Sequence, residues 1–199
     1  LVEKCCHFFV LMRLMTRSEA IRVFASASVA NNHLGERYPL GVPDILDNAY
    51  VIVDFANGQR AFLELCMFAE GARYQEEISV VGNKGKVECF VPGPGRFWPK
   101  DLGDAPIPKL VLSPRTPKGP KELEVPVDPT LLAAGDHNGS TFYQHQRFNA
   151  VVRGEGAVEV TLRDGLAAVV MGLAAQQSAA TGEAISLTRG EFDLKALLG

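Results

Sequence analysis

The sequence lacks the features that mark two large classes of protein. No run of about 18 apolar residues occurs, so no transmembrane helix is expected. The basic residues are scattered, and the formal net charge of −3 gives no positive footprint for nucleic acid or for an anionic membrane surface. The chain is therefore expected to bind neither nucleic acid nor a membrane.

Cysteine and histidine are too few and too dispersed to suggest a metal site. The four cysteines are Cys5, Cys6, Cys66 and Cys89, and the four histidines are His7, His33, His137 and His145. No C-x-x-C motif occurs, and the adjacent Cys5 and Cys6 would point their side chains in different directions. We expect no metal, and we interpret the cysteines as reduced, mostly buried thiols of a cytoplasmic protein.

Motifs that hold phosphate groups or activate a serine are missing as well. The sequence has no G-x-G-x-x-G, no P-loop and no G-x-S-x-G. The glycine pairs that come closest are Gly93 with Gly95 and Gly154 with Gly156, and neither stands at a predicted strand-to-helix turn. The chain is not expected to hold a dinucleotide pyrophosphate by a recognisable route.

What the sequence does contain is strand patterning. The length of 199 residues and the 47% hydrophobic content are typical of one large globular domain or two small ones. Asn57-Gly58 separates two apolar runs and predicts a hairpin, because both positions tolerate a positive φ. Residues 82–85 separate a second pair of runs in the same way. Further strands are predicted at 21–29, 110–112, 122–127 and 184–187.

Helical patterns lie at both ends of the chain. Helices are predicted at 1–15, from about 140 to 153, and from 161 to 182, with a tail helix at 192–198. Residues 1–15 are apolar nearly all round, which predicts a helix buried on several sides. The fold class that follows is α+β, a large and predominantly antiparallel open sheet with helices packed on one face.

One strand carries an ambiguous face. Alternate residues from Ala61 to Met67 are apolar, whereas the opposite face mixes Phe62, Cys66 and Phe68 with Glu64. Such a mixed face fits sheet-to-sheet association between subunits, and it predicts a homo-oligomer. A sheet that is merely half exposed explains the pattern equally well.

Few residues suggest chemistry. Glu3 and His7 are four residues apart, so a helix projects both from one face, and a carboxylate beside an imidazole suits a general acid or base. A surface pair or a core histidine would share that spacing. Tyr74 precedes a strand and could line a pocket or pack as an aromatic. His137 lies in a Gly-Asp-His-Asn-Gly loop, where an exposed histidine could bind a substrate or do nothing.

Five segments in order resemble the C-terminal domain of the glucose–fructose oxidoreductase and inositol dehydrogenase family (Gfo/Idh/MocA). These segments are VEKCCHFFVLMRLM (2–15), DNAYVIVDFANGQRAFLEL (47–65), YQEEISVVGNKGKVE (74–88), FYQHQRFNAVVRGEG (142–156) and TLRDGLAAVVMGLAAQQSAATGEAISL (161–187). The resemblance covers nearly the whole chain, and it depends on the order of the segments more than on any single motif.

The resemblance implies roles for particular residues. His7 falls on the family's catalytic histidine, which exchanges a proton with the substrate hydroxyl or carbonyl, and Glu3 falls on its acidic partner, usually Asp. Tyr74 falls on a tyrosine that lines the substrate pocket, and His137 is taken as a second substrate-binding candidate. The family tends to place Asp three residues after the histidine, where this chain has Val10.

The resemblance also implies a larger protein. Residues 1–199 are expected to form one substrate-binding and oligomerisation domain of an enzyme that uses NAD or NADP on a sugar, inositol or related polyol. The nucleotide-binding domain and the lysine of a Glu-Lys-Pro motif would precede Leu1, so the isolated chain is expected to be inactive. The competing hypothesis is a non-catalytic module for sugar binding or dimerisation.

Overall fold

The computed structural model describes residues 1–198, which divide into two compact units. Unit 1 combines Leu1–Ala69 with the chain from Glu159 onward, and unit 2 is Glu70–Val158. Within the described residues, no helix combines the length and the apolarity that crossing a bilayer requires. Whether the whole chain forms one domain stays a prediction.

Over residues 1–198, the two units contain thirteen α-helices and strands. The strands are β1 (Ala20–Ser28), β2 (Asn48–Phe55), β3 (Arg60–Cys66), β4 (Glu76–Gly82), β5 (Gly85–Val91), β6 (Lys109–Pro114), β7 (Lys121–Glu124) and β8 (Ile185–Ser186). The α-helices are α1 (Val2–Thr16), α2 (Pro129–Ala134), α3 (Ser140–Val152), α4 (Leu162–Thr181) and α5 (Leu194–Leu198). Short 3-10 turns stand at Gly95–Phe97, Lys100–Leu102, His137–Gly139 and Gly190–Phe192.

Unit 1 is an antiparallel sheet covered on one face by helices. Its strand order is β3-β2-β1-β8. Alternate residues of the three long strands are buried on the inner face, as the period of two requires. The core joins these residues to α1 and α4, and its largest members are Phe9, Phe55, Met171 and Leu187.

Helix α4 has local signals at both of its ends. The Thr161 side chain accepts from the backbone N–H of Asp164, and the Asp164 carboxylate accepts from the Thr161 N–H, which forms a capping box. Gly182 ends the helix with a φ of 73°. Small residues on the inner face let α1 approach closely: a Cβ at Gly172 would lie 3.0 Å from Cα of Val2. The predicted helix at 161–182 is confirmed.

Helix α1 is less enclosed than its composition predicts. Cys5 and Phe9 are fully buried, but Leu14 is 66% exposed and Met15 is 43% exposed. The prediction of burial on several sides holds only in part. Cys6, Phe8, Val10 and Met12 pack half-buried against the core, whereas Glu3, His7, Leu14 and Met15 are exposed. An apolar composition all round reports what a helix can bury and does not identify its neighbours.

A buried aspartate holds the long loop between β1 and β2. Asp47 is 1% exposed, and its carboxylate accepts from the backbone N–H groups of Ala30, Asn31 and Asn32 at 2.7–2.9 Å. The side-chain amide of Asn48 donates to the same carboxylate at 2.8 Å. These four bonds close both ends of the loop on one side chain.

Unit 2 is built on a second antiparallel sheet, in the order β4-β5-β6-β7. One face carries a row of apolar residues that crosses all four strands: Ile78 pairs with Cys89, Cys89 with Leu110, and Leu110 with Leu123. Its members are half-buried or exposed, and Leu123 is 48% exposed.

The α+β class, the antiparallel pairing and the open sheets are confirmed, and unit 1 has its helices on one face. The strands form two sheets of four, where one large sheet is expected from the sequence. Turn signals such as Asn57-Gly58 set the pairing within a meander. They carry no information on whether two meanders join edge to edge.

Candidate functional site

Glu3 and His7 lie on the exposed face of α1. The structure places both side chains away from the buried residues Cys5 and Phe9, which follow Glu3 and His7 by two residues each. Residues four apart on a helix bring their Cβ atoms to within about 6 Å of one another. The His7 ring also lies 4.2 Å, centroid to centroid, from the ring of Phe8. Carboxylate and imidazole are thus neighbours on a surface that a small molecule can reach.

Both ends of α1 are tied to other parts of unit 1. At the start, the Val2 N–H donates to Oε1 of Gln176 at 3.4 Å, and the Gly172 backbone allows the close approach. At the end, the Arg13 guanidinium donates to Asp164 at 2.8 Å and to Glu19 at 3.0 Å. The Arg13 side chain is only 11% exposed, whereas Glu19 is 50% and Asp164 is 33% exposed, so a largely buried guanidinium ties the end of the helix to two partly exposed carboxylates. Sequence reasoning missed Arg13, which has no partner at helical spacing in its own segment.

The Asp164 carboxylate of α4, which accepts from Arg13 at the end of α1, is held ionised. The hydrogen bond from the Thr161 hydroxyl is the largest cause, and together with the Thr161 N–H and the Arg13 guanidinium it lowers the pKa of Asp164 to about 2. The aspartate that caps α4 therefore stays available as the acceptor for α1 at any ordinary pH.

Tyr74 lies just before β4 and is half-buried. Its ring centroid is 5.2 Å from that of Phe90 on β5, with the ring planes tilted by 46°. The next residue anchors the segment, since the Gln75 N–H donates to the carbonyl of Val91 at 2.8 Å. Tyr74 is therefore held both by packing and by the sheet, as a pocket-lining residue or a packed aromatic would be.

His137 lies in a loop of unusual backbone conformation. His137, Asn138 and Gly139 have φ values of 66°, 51° and 82°, so three residues in a row are left-handed. Such a conformation costs a non-glycine residue about 1 kcal/mol or more, and it is common at functional sites. The His137 Nδ1 lies 3.3 Å from the Thr141 hydroxyl, and its side chain is exposed.

Contacts within unit 2 hold this loop in place. The guanidinium of Arg96 forms two hydrogen bonds with the Asp136 carboxylate, at 3.1 Å from Nε to Oδ1 and with Nη2 on Oδ2. That guanidinium is the main cause that lowers the pKa of Asp136. The Asn138 amide donates to the carbonyl of Pro92 at 3.2 Å. The residues before and after His137 are therefore both fixed to the segment that follows β5.

The predicted site residues thus fall into two groups. Glu3 and His7 share one helix of unit 1, and Tyr74 and His137 belong to unit 2. A pocket that contains all four stays a prediction. Arg96, Asp136 and Asn138 were not singled out from the sequence, although the Gly-Asp-His-Asn-Gly motif signals a tight turn around them.

The structure does not offer a pyrophosphate cradle at the two glycine pairs. Gly93 and Gly95 lie after β5 and lead only into a three-residue 3-10 turn, and Gly154 follows the end of α3. The glycine-rich dinucleotide motif stands between a strand and the N-terminus of a helix, and neither pair has that setting. Among residues 1–198, no group of three His, Cys, Asp or Glu side chains is placed to hold a metal ion.

The family model described as the Gfo/Idh/MocA oxidoreductase family, C-terminal alpha/beta domain, matches residues 1–187. The chain belongs to this family. A search of curated proteins finds no match to the chain.

Solved structures share the fold of this Gfo/Idh/MocA domain. Levoglucosan dehydrogenase in complex with NADH and levoglucosan is 19% identical, with a TM-score of 0.67 over 94% of this chain and 50% of its own. An oxidoreductase from Agrobacterium radiobacter in complex with NAD+, L-tartaric acid and magnesium is 16% identical, with a TM-score of 0.65 over 98% and 49%. A protein from Sinorhizobium meliloti 1021 assigned as a myo-inositol dehydrogenase is 21% identical, with a TM-score of 0.60 over 92% and 48%. The chain spans about half the length of each.

Proposed function

We propose that this chain is the substrate-binding half of an NAD(P)-dependent oxidoreductase that acts on the CH–OH group of a sugar, an inositol or a related polyol. The observation that carries the proposal is the pair Glu3 and His7, exposed together on a helix that is fixed at both ends, in a chain of this family. The solved relatives that bind levoglucosan or carry an inositol dehydrogenase assignment support the substrate class.

His7 would exchange the proton of the reacting hydroxyl. An imidazole has an ordinary pKa near 6.5, so it accepts and returns a proton at neutral pH. Glu3 would orient the ring and stabilise its protonated form, because a carboxylate one helical turn away favours positive charge. Val10 cannot supply the further carboxylate that the family tends to place after the histidine, so Glu3 carries that role alone.

Tyr74 and His137 would bind the other hydroxyl groups of the substrate. A phenol donates and accepts a hydrogen bond, and a neutral imidazole does the same through its two nitrogens. A polyol presents several such groups on one face. The left-handed turn at His137–Gly139 and its anchors on Arg96 and Pro92 would keep the imidazole in one orientation.

The hydride carrier would be held elsewhere in the full-length protein. The glycine pairs of this chain do not fit a pyrophosphate, whereas the relatives of twice its length include complexes with NAD+ and NADH. We therefore expect the isolated chain to bind a polyol without oxidising it. Turnover by these 199 residues with NAD+ or NADP+ would contradict this.

The test is a comparison of histidine variants in the full-length protein. We expect His7→Gln to lower kcat about 10²–10⁴-fold and to remove the acidic limb of the pH–rate profile, because the proton acceptor is lost. The control is His145→Gln on α3, whose side chain is exposed and belongs to neither group of candidates. Equal rates for the two variants would exclude His7 from proton transfer.

A non-catalytic sugar-binding or dimerisation module is the second candidate, and Val10 is the observation that favours it. The two candidates differ in what precedes Leu1 in the reading frame. A strand, a G-x-G-x-x-G turn and a Glu-Lys-Pro motif would support the oxidoreductase. A reading frame without them, together with polyol binding, would support the module.

We also propose that the chain forms a homo-oligomer through the outer face of the unit 1 sheet. Phe62 is 57% exposed on this face, Tyr50 is 51% exposed, and the two rings stack at 5.7 Å. Exposed aromatic residues in one patch are typical of a protein interface. Strictly monomeric elution from a sizing column at all concentrations would count against this.

A further inference from the structure

An open cavity of about 760 Å³ lies at the end of the unit 1 sheet where the hairpin of β2 and β3 turns. Its lining comes from all four strands and from the segment that follows β8. The charged members are Arg22, Asp54, Arg60 and Arg189, and the hydroxyl members are Ser186 and Thr188. The volume suits a small organic molecule, because ligand pockets usually measure about 300–1,000 Å³.

A β-bulge shapes this end of the sheet. The register of β1 against β2 shifts between Ala20 and Arg22, so Ile21 is an extra residue on β1. A bulge increases the local twist and redirects the side chains beside it. The Ile21 carbonyl accepts from the N–H of Leu187 at 2.9 Å, and Leu187 is only 1% exposed. The bulge and the buried leucine therefore fix the segment that forms one wall of the cavity.

The lining carries an excess of positive charge. Nε and Nη2 of Arg22 both donate to Oδ2 of Asp54, at 2.7 Å and 2.6 Å, so these two charges compensate each other. Within residues 1–198, Arg60 and Arg189 form no ion pair and no side-chain hydrogen bond. Three arginines and one aspartate give the lining a net charge of +2.

The donors concentrate on the β8 side of the cavity. Arg22 pairs with Ser186 across the sheet, whereas Arg60 is two strands away from Arg22, or about 10 Å. Oγ of Ser186 and Oγ1 of Thr188 lie 3.1 Å apart, so one hydroxyl donates to the other. That bond uses one of their two hydrogens, and the second can be donated to a bound molecule. Arg189 follows directly and adds a guanidinium.

We propose that this cavity binds a phosphorylated small molecule, with the phosphate group on the β8 side. A phosphate monoester carries a charge of about −1.5 to −2 at neutral pH, which matches the charge of the lining. Its three terminal oxygens can accept from two guanidinium groups and a hydroxyl at the same time. A carboxylate has one charge and two oxygens, so it would leave donors unused.

The remaining part of the ligand would extend toward Arg60 at the hairpin side. The proposal goes beyond the oxidoreductase activity and does not depend on it, because Glu3, His7, Tyr74 and His137 are all absent from the lining. The cavity adjoins the face for which subunit association is proposed above. The number of ligands bound per chain is therefore part of the test.

Titration calorimetry of the 199-residue chain with phenyl phosphate tests the site. Benzoate is the matched control ligand, because it keeps the aromatic ring and replaces the phosphate by a carboxylate. We expect phenyl phosphate to bind about tenfold more tightly than benzoate at constant ionic strength, because the dianion gains a further charge-assisted hydrogen bond. We expect one ligand per chain. Equal affinities, no binding, or one ligand per two chains would overturn a phosphate site built by a single chain.

Arginine variants locate the phosphate group. Arg189→Gln should weaken binding of phenyl phosphate about tenfold, because a direct charge-assisted hydrogen bond is lost. Arg60→Gln should weaken it only about threefold, because a charge on the far side of the cavity acts over a longer distance. Arg153→Gln removes an exposed arginine outside the lining and should leave the affinity unchanged. Full affinity in Arg189→Gln, or an equal loss in Arg153→Gln, would overturn the proposal.

Discussion

Replacing Asp47 by asparagine should destabilise unit 1 by about 3 kcal/mol at neutral pH. The backbone N–H groups of Asn31 and Asn32 both donate to Oδ2 at 2.7 Å. An asparagine keeps one acceptor oxygen but places an NH₂ group where the other oxygen was. Two charge-assisted hydrogen bonds are lost, each worth about 1.5–3 kcal/mol, and two N–H groups are left facing a donor.

The pH dependence of the stability difference is a second, independent test of the prediction. Burial by itself would raise the pKa of Asp47, but the N–H groups of Asn31, Ala30 and Asn32 and the Asn48 amide outweigh it and hold that pKa well below its usual range. A carboxylate with a lowered folded pKa contributes its stability above the unfolded pKa, about 4. That contribution disappears as the pH falls from about 5 toward the folded pKa. The gap between wild type and Asp47→Asn should therefore narrow in acid.

Urea unfolding of three proteins at neutral and acidic pH checks both statements. The control is Asp44→Asn, the same chemical change on an exposed side chain of the same loop, which we expect to alter the free energy of unfolding by no more than about 0.5 kcal/mol. Equal stability of the two variants at neutral pH would refute the anchoring role of Asp47. A gap that stays constant in acid would refute the electrostatic part alone.

Two other predictions concern the packing of α4. Ser178 is fully buried, and its hydroxyl accepts from the Ala25 N–H at 2.9 Å and donates to the Glu183 carbonyl at 2.6 Å. Ser178→Ala should therefore lower the free energy of unfolding, measured with a chemical denaturant, by about 2 kcal/mol. A loss no larger than that caused by a Ser→Ala change on the exposed face of β1 would contradict this. Gly172→Ala should lower the melting temperature, because its Cβ would press on Val2. Gly165→Ala, in open space on the same helix, should raise the melting temperature, because the helix propensity of alanine stabilises the fold by up to about 1 kcal/mol. Shifts of the same sign would show that α1 yields to the added methyl group.

The parts of the fold that sequence predicts well are those with local chemistry. Asn57-Gly58 predicts the hairpin of β2 and β3, and Gly58 has a φ of 82° there. Thr161 and Asp164 predict the start of α4, and both hydrogen bonds of the capping box form. Each signal depends on residues within four positions of one another, so the sequence alone contains the whole interaction.

Contacts between distant segments are the parts that sequence did not reveal. Asp47 lies 15–17 residues from the N–H groups it accepts, and no spacing rule connects them. Arg13 is 151 residues from its partner Asp164. Among the site residues, Glu3 and His7 could be paired because one helix carries both. The loop that carries His137 is anchored by the ion pair between Arg96 and Asp136, and these two residues are 40 positions apart.

Unit 2 interrupts unit 1 in the order of synthesis. The strands β1, β2 and β3 leave the ribosome before α4, which packs against their inner face and follows only after about a hundred residues. Until then, the side chains of Val23, Val51 and Leu63 lack the part of their cover that α4 provides, although α1 has already been synthesised. Closing so long a loop is slow compared with forming a hairpin, so the inner face of the nascent sheet stays partly open while unit 2 is synthesised. Loss of the last forty residues would consequently abolish folding of a sheet whose three long strands are all still present.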